Sequence, residues 1–402
     1  MLKAQSRRLT QLLPQLGAGL SLSAIGLSVL SIPLAAASHL DLSPAQTTGW
    51  ILSLYALPGV LSLAAALKYR QPLFVTGNVF VMIFVASLGT QLTWAELVGA
   101  SMTAGALVLL LGALGLTGRL ATWLPSPIVY GLLAGAVLPF LIDLFAALGT
   151  APRAVGIVLV AYAAGGPAFR GRVPPIIPAL VAGLLVALFQ ADALPDTGEG
   201  LLPAPALTLP EFSAAALLTA TPVMVVLITL QANVPSLVFL RNEQYRPPER
   251  LINFSSGAGV LAGSLLGPIG ISLSLPATAL VAGRDAGGWA SRHRAVYIAG
   301  GFHVLVGLLA GLAAGFAAVV PPALLDAVVG LAVAGILTTA LREATRGPLL
   351  LGPIFAFAVS QSGLTLLGLG SFFWALAIGL LASYLLEHEG WKKLRSATED
   401  AG

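Results

Sequence analysis

Cysteine is absent from this 402-residue chain, so neither a disulfide nor a thiolate metal ligand can form. Charge is scarce as well: 9% of the residues are Asp, Glu, Lys or Arg, against about a quarter in soluble domains. That deficit, beside 57% hydrophobic residues and a mean hydropathy of +0.94, excludes a soluble enzyme of this length. No His-Glu-x-x-His sequence and no nucleophile–base pair is visible, which leaves an intramembrane enzyme the weakest reading. No metal and no cofactor is expected. Ten-residue alternating strands are missing too, which argues against an outer-membrane barrel. The net charge of +4 belongs to loops rather than to a basic patch, so nucleic acid is not an expected partner.

What the chain has is apolar runs, most of roughly 17–25 residues, each long enough to cross about 30 Å of hydrocarbon. Fourteen membrane segments are expected, at 15–37, 48–67, 72–88, 94–117, 125–147, 152–166, 174–190, 213–240, 251–266, 268–283, 294–318, 322–341, 347–361 and 364–386. The first run follows Lys3, Arg7 and Arg8 and reads as an uncleaved first span rather than a signal peptide. With a cytoplasmic N-terminus, this division puts every Lys and Arg except Arg153 on the cytoplasmic side, including Arg119, Arg170 and Arg172. Cytoplasmic loops collect these residues, and the same alternation puts the C-terminus inside. The longest external loop, 191–212, carries Asp192, Asp196, Glu199 and Glu211 and no base. It separates a first repeat, 1–190, from a second, 213–390, each of seven spans. An odd number per half inverts one half relative to the other, so an all-α protein built as a 7+7 inverted repeat is expected.

Two segments at corresponding positions are broken by turn and polar residues. One runs from Gln71-Pro72 through Phe74, Gly77 and Asn78 to Phe80; the other runs from Gly267-Pro268 through Ser272, Ser274 and Leu275 to Thr278. Non-helical backbone at membrane depth survives only where protein or a polar cavity satisfies it, and paired breaks point to a transporter's substrate site. A short extended stretch followed by a helix starting mid-membrane is expected in each, opened by Thr76, Gly77 or Asn78 and by Ser274. Two such N-termini would form an anion site without any basic side chain. No Lys or Arg lies in the interior of any predicted span. The competing reading is that Gly and Pro only kink two ordinary helices.

Other polar residues fall inside spans. Gln231 and Asn233, followed by Pro235, need hydrogen-bond partners from substrate or from a neighbouring helix. Asp143 and Asp326 occupy the fifth and twelfth spans, as a proton relay or as interfacial residues. Glu96 reads as interfacial and solvated. His303 is the single histidine within a span and titrates near neutrality when unperturbed.

One stretch, Ser362-Gly363-Leu364-Thr365-Leu366-Leu367-Gly368-Leu369-Gly370-Ser371-Phe372-Phe373-Trp374, closely resembles the final-span signature of the benzoate:proton symporter (BenE-type) family. Thr48-Gly49-Trp50, Tyr69-Arg70-Gln71-Pro72, Leu132-Leu133-Ala134-Gly135, Leu138-Pro139-Phe140 and Asn233-Val234-Pro235 add to it. So does Leu240-Arg241 through Tyr245-Arg246-Pro247-Pro248. The resemblance implies a fold shared with nucleobase and sulfate transporters. In that fold a core domain (spans 1–4 and 8–11) faces a gate domain (spans 5–7 and 12–14), and spans 3 and 10 each join a short strand to a half-helix. It implies uptake of an aromatic carboxylate with a proton, and a homodimer in a bacterial inner membrane. The family's Trp-Ser-Thr-Pro is Gly77-Asn78-Val79-Phe80 here, its His and Asn of span 10 are Ser272 and Leu275, and its Gln is displaced to Gln231. The resemblance thus assigns the polar contacts to Asn78, Asn233 and Ser272 and an aromatic wall to Phe74 or Phe80. The expected activity is proton-coupled uptake of a benzoate-like anion, whose carboxylate meets the N–H groups near Gly77, Asn78, Ser274 and Leu275. Gln231 and Asn233 orient it, and His303, Asp326 and Asp143 are the proton-coupling candidates. Other readings are an inorganic-anion or nucleobase carrier on the same fold, or an anion channel with a continuous polar pore.

Overall fold

The computed structural model describes residues 2–89, 91–117, 124–168, 174–190 and 204–399. Arg119, Arg170, Arg172 and the acidic residues Asp192, Asp196 and Glu199 lie outside the described residues. The first half runs α1 (Leu2–Val29), α2 (Ser31–His39), α3 (Pro44–Tyr69), β1 (Val75–Gly77), α4 (Val79–Leu88), α5 (Trp94–Leu114), α6 (Ser126–Thr150), α7 (Pro152–Ala168) and α8 (Ile176–Gln190). The second half opens with α9 (Ala214–Thr219), α10 (Thr221–Val226), a π-helix (Leu227–Asn233), α11 (Val234–Asn242) and α12 (Glu249–Ser264). It continues through β2 (Ile271–Leu273), α13 (Leu275–Ala282), α14 (His293–Leu308), α15 (Ala310–Val319), α16 (Pro322–Ala344), α17 (Leu351–Gln361), α18 (Ser371–Leu386) and α19 (His388–Glu399). Among the described residues, by length and composition, six helices, single or joined end to end, are long and apolar enough to cross a membrane, or seven when the pair bent by 103° at Glu387 is taken as one.

Several spans are less regular than the hydropathy pattern implies. The stretch 213–240 is one apolar column broken into α9, α10, the π-helix and α11, with Gln231 inside the π-helical turn. The last span begins at Ser371 rather than at 364: residues 362–370 form a tight loop closed by mutual Leu366–Leu369 backbone bonds and by the Trp374 indole N–H donating to the Leu366 carbonyl. Gly363, Leu367 and Gly368 take positive φ there, which a helix does not permit. Glu96, expected as a solvated interfacial acid, closes a capping box with Thr93 at the start of α5.

Both broken segments fold as short strand plus short helix. β1 and β2 pair antiparallel, with Val75 opposite Leu273, Thr76 opposite Ser272 and Gly77 opposite Ile271. Three residues per strand leave much backbone to satisfy, and neighbouring helices supply the rest. The Ser62 hydroxyl on α3 accepts from the Val75 N–H at 2.8 Å and donates to its carbonyl at 2.7 Å. The Ser101 hydroxyl on α5 does the same for Ile269, at 3.0 and 2.9 Å. The Trp50 indole N–H donates to the Pro268 carbonyl at 2.8 Å. The crossing is also tight: a Cβ at Gly77 would stand 2.7 Å from the Leu54 carbonyl oxygen, so only glycine lets α3 approach the strand.

Around this centre α3 packs on α14 and α5 on α12, while α6 packs on α16. A large apolar core fills the space between them, with Trp50, Ile83, Phe84 and Leu132 fully buried. At the far end of α18 the Glu387 carboxylate receives the backbone N–H groups of Leu350, Leu351 and Gly352 and the Ser383 hydroxyl. It thus caps α17. Partial burial opposes the charged form, but these bonds outweigh it and hold the Glu387 carboxyl below the ordinary carboxylate range. A depressed pKa gives stability that is complete above the unfolded value of 4.5 and is lost as pH falls through the folded one. Glu387→Gln is therefore expected to cost about 1 kcal/mol at neutral pH and almost nothing in acid below the folded carboxyl's range. Thermal unfolding in detergent at the two conditions measures that difference.

Candidate functional site

Between the strand pair and α16 lies a cavity of about 550 Å³, within the usual range for small-molecule sites. Phe74, Thr76, Gly77, Asn78 and Phe80 line it from the first broken segment; Ser272, Ser274, Leu275 and Ala277 line it from the second. Gln231 from the π-helix and His303 from α14 complete that side. The opposite wall is Tyr130 of α6 and Ile336, Thr339 and Glu343 of α16, ending at Arg346, whose side chain is 74% exposed.

The two helix starts differ. Asn78 caps α4: its side-chain oxygen accepts from the Phe80 and Val81 N–H groups at 3.0 and 3.1 Å. Its amide nitrogen donates to the Leu227 carbonyl at 3.0 Å and to the Ser272 hydroxyl at 3.1 Å. Asn78 therefore has no bonding capacity to spare, and it covers the α4 terminus itself. At α13, Ser274 takes the extended N-cap conformation, yet its side chain makes no capping bond. Pro276 has no N–H, and the Thr278 N–H goes to the Ser274 carbonyl at 2.7 Å. The N–H groups of Leu275 and Ala277 have no partner among the described residues, and both residues line the cavity. A helix start with bare N–H groups and a positive dipole end suits a carboxylate.

His303 is 2% exposed, stacked on Tyr55 at 5.4 Å between ring centroids and edge-on to Phe74 at 5.0 Å. Its Nδ1 lies 2.9 Å from the Ala299 carbonyl, which assigns the proton to Nδ1 in the neutral ring. These three rings make the aromatic flank of the cavity. Phe80 contributes from the α4 side.

Asn233 does not line the cavity. It is fully buried, accepts from the Leu273 N–H at 2.8 Å, and donates to Asn253 at 2.9 Å and Ser256 at 3.1 Å. It ties β2 to α12 and the π-helix. Asp143 and Asp326 also lie away from the cavity, near the Thr150 end of α6 and the Pro322 end of α16, where Asp326 pairs with His39 at 3.1 Å. Sequence reasoning missed Tyr130, Thr339, Glu343 and Arg346. Their signal was weak, because Glu343 and Arg346 sit at a span end where charges are ordinary.

The sequence matches the profile described as benzoate membrane transport protein (BenE) over residues 11–385. The chain belongs to this family. Within the BenE family it is 26% identical over 357 residues to the benzoate membrane transport protein of Acinetobacter baylyi, covering 87% of this chain and 89% of that one. It is 28% identical over 344 residues to the inner membrane protein YdcO of Escherichia coli, covering 83% and 86%. The fold is similar to the transmembrane domain of a cyanobacterial bicarbonate transporter, BicA, with a TM-score of 0.53 at 17% identity over 93% of this chain and 97% of that one. It is similar as well to the inward-facing murine anion transporter Slc26a9, with a TM-score of 0.60 at 14% identity over 93% and 68%. The protein is accordingly a membrane transporter of the benzoate-type family, with a fold shared with these two structures.

Asn233 offers a direct check on how this BenE-family chain holds its site. Asn233→Leu leaves the buried Leu273 N–H without an acceptor and removes a donor from Asn253 and Ser256, a loss of about 2–4 kcal/mol. Asn233→Asp keeps the acceptor and should lose less. Melting temperatures of the two purified variants in detergent should fall in that order.

Proposed function

We infer that the protein carries a small aromatic carboxylate, benzoate or a close relative, together with a proton, by alternating access across a bacterial inner membrane. The observation that carries this reading is the uncapped start of α13 facing a cavity flanked by Phe74, Phe80 and Tyr55. The carboxylate takes the Leu275 and Ala277 N–H groups and the Ser274 hydroxyl, and the ring lies against the aromatic flank. Gln231 and Ser272 bound the polar end, while Gly77 and Asn78 hold the opposing backbone in place. His303, with Nε2 as its remaining lone pair, is the proton-coupling group nearest the substrate.

The architecture is read as fourteen spans in two inverted repeats, 1–190 and 213–390, joined by the external stretch 191–212. The packing supports this: a two-fold exchange of the halves maps the α3–α14 pair onto α5–α12 and maps the strand pair onto itself. The core (spans 1–4 and 8–11) carries the substrate, and the gate (spans 5–7 and 12–14) presents α16 to it. Both termini are cytoplasmic, and two copies form a homodimer. Because the cavity reaches the surface at Glu343 and Arg346, on the Arg-rich side, the conformation is inward-open.

A second reading, an inorganic anion such as bicarbonate, draws on the fold neighbours. It uses the same helix start but leaves the aromatic flank without a role. The two readings separate in one experiment with liposomes carrying the purified protein under an inward proton gradient. Labelled benzoate should accumulate and bicarbonate should not; bicarbonate uptake that benzoate fails to inhibit would reverse the order. Leu275→Pro tests the site itself. Proline is tolerated at a first helical position and removes one N–H, so calorimetric affinity for benzoate should fall at least tenfold, about 1.5–3 kcal/mol for a bond to a charged group. Leu275→Ala should leave it unchanged.

A further inference from the structure

The end of α16 remote from the cavity mouth carries a cluster that the substrate site does not use. Asp326 lies in its second turn, and its Oδ1 is 3.1 Å from Nε2 of His39, the last residue of α2. Asp143 of α6 acts electrostatically on both, and the His39 ring meets Phe140 of α6 edge-on at 6.0 Å. The side chains of His39 and Asp326 are 39% and 23% exposed, so neither is sealed inside the protein. From Asp326 to Glu343 is seventeen residues of one helix, or about 25 Å. One helix therefore stands at the open mouth with its inner end and is held to α2 by its outer end.

On the domain reading above, α2 belongs to the core and α6 and α16 to the gate. The pair is thus a bond across the two bodies, on the side that is closed in this conformation. We propose that His39, Asp326 and Asp143 form a proton-binding latch that closes the external side of the transporter. The proposal rests on the transporter reading but not on the identity of the substrate. With a proton on His39, an imidazolium faces two carboxylates and holds α2 against α16 and α6. Without it, the neutral ring still donates Nε2–H to Oδ1, but the ionic attraction is lost and the two carboxylates repel each other with no cation between them. The charged groups facing His39 are Asp326 from α16 and Asp143 from α6, with Asp41 on the turn that follows it.

The latch proton comes from the external side and returns to it, so it sets the conformation and is not the proton carried with substrate. An external proton closes the outer side, and the cavity then opens to the cytoplasm. Histidine changes charge between about pH 5 and 8, so the inward-open population rises as pH falls through that range. Because the exchange happens outside the cavity, it needs no substrate.

The chain has no cysteine, so a single one reports cleanly. Thr339→Cys places a thiol on the inner half of the cavity wall. Its labelling by a charged maleimide, normalised at each pH to the same chain unfolded, should be about fivefold faster at the acid end of the histidine range than at the alkaline end. That pH dependence should vanish in T339C/H39Q and T339C/D326N, with both variants still monodisperse. A parent protein with no pH dependence, or variants that retain it, overturns the proposal. As a second measurement, His39→Cys with Asp326→Cys, bridged by a short bifunctional thiol reagent, should stop transport reversibly; transport that continues after bridging also overturns it. If the labelling behaves as expected while benzoate is not moved, the latch stands and the substrate assignment falls.

Discussion

Extended backbone at membrane depth has no water to satisfy it, and the architecture of this protein follows from how that demand is met. Residues 267–274 and 71–78 are non-helical in the middle of an apolar molecule. Each strand is the other's partner over three residues. The remaining groups go to single side chains on the surrounding helices: Ser62, Ser101, Trp50 and Asn233. A buried N–H or carbonyl left open costs about 1–3 kcal/mol, so removing any of these four leaves a buried backbone group without its present partner. The strands in turn fix where α4 and α13 begin. The geometry of the candidate site is therefore set by backbone satisfaction, through four side chains that do not themselves line the cavity.

The two halves resolve the same problem unequally. Asn78 uses its whole amide to cap α4 and to bind Leu227 and Ser272. Ser274 leaves α13 bare. One closed helix start and one open one give the cavity a direction: on the proposed function, charge is received at α13, while α4 offers an apolar and aromatic face through Phe80. Across from it, α16 carries its ionic groups only near its ends, with Asp326 on one side and Arg342 and Glu343 on the other. A helix that is apolar along its length and charged at both ends can rock against the core without dragging a charge through the cavity.

Much of this was legible in the sequence. Paired Gly/Pro breaks in otherwise continuous apolar runs have few physical outcomes, and strand plus short helix is what both became. Ser274 before Pro276 marked the start of α13 to the residue. Asn233 was read as a ligand because an amide in hydrocarbon must bond to something; the structure answers with Asn253, Ser256 and Leu273, partners far apart in sequence that no local pattern encodes. The final span was placed too early because Leu364, Leu366, Leu367 and Leu369 read as apolar helix, whereas the glycines among them close a turn. Glu343 stayed invisible as a cavity residue because the residues it shares the cavity with, such as Asn78 and Gln231, are far from it in the chain.

The central claim is that an open helix start, not a basic side chain, receives the substrate's charge. A structure with bound 4-iodobenzoate tests it most directly, since the iodine locates the ring and the carboxylate follows from it. The carboxylate should lie within hydrogen-bond distance of the Leu275 and Ala277 N–H groups, with the ring against Phe74 and Phe80. A carboxylate on Arg346, or a ligand outside the cavity, would contradict the account.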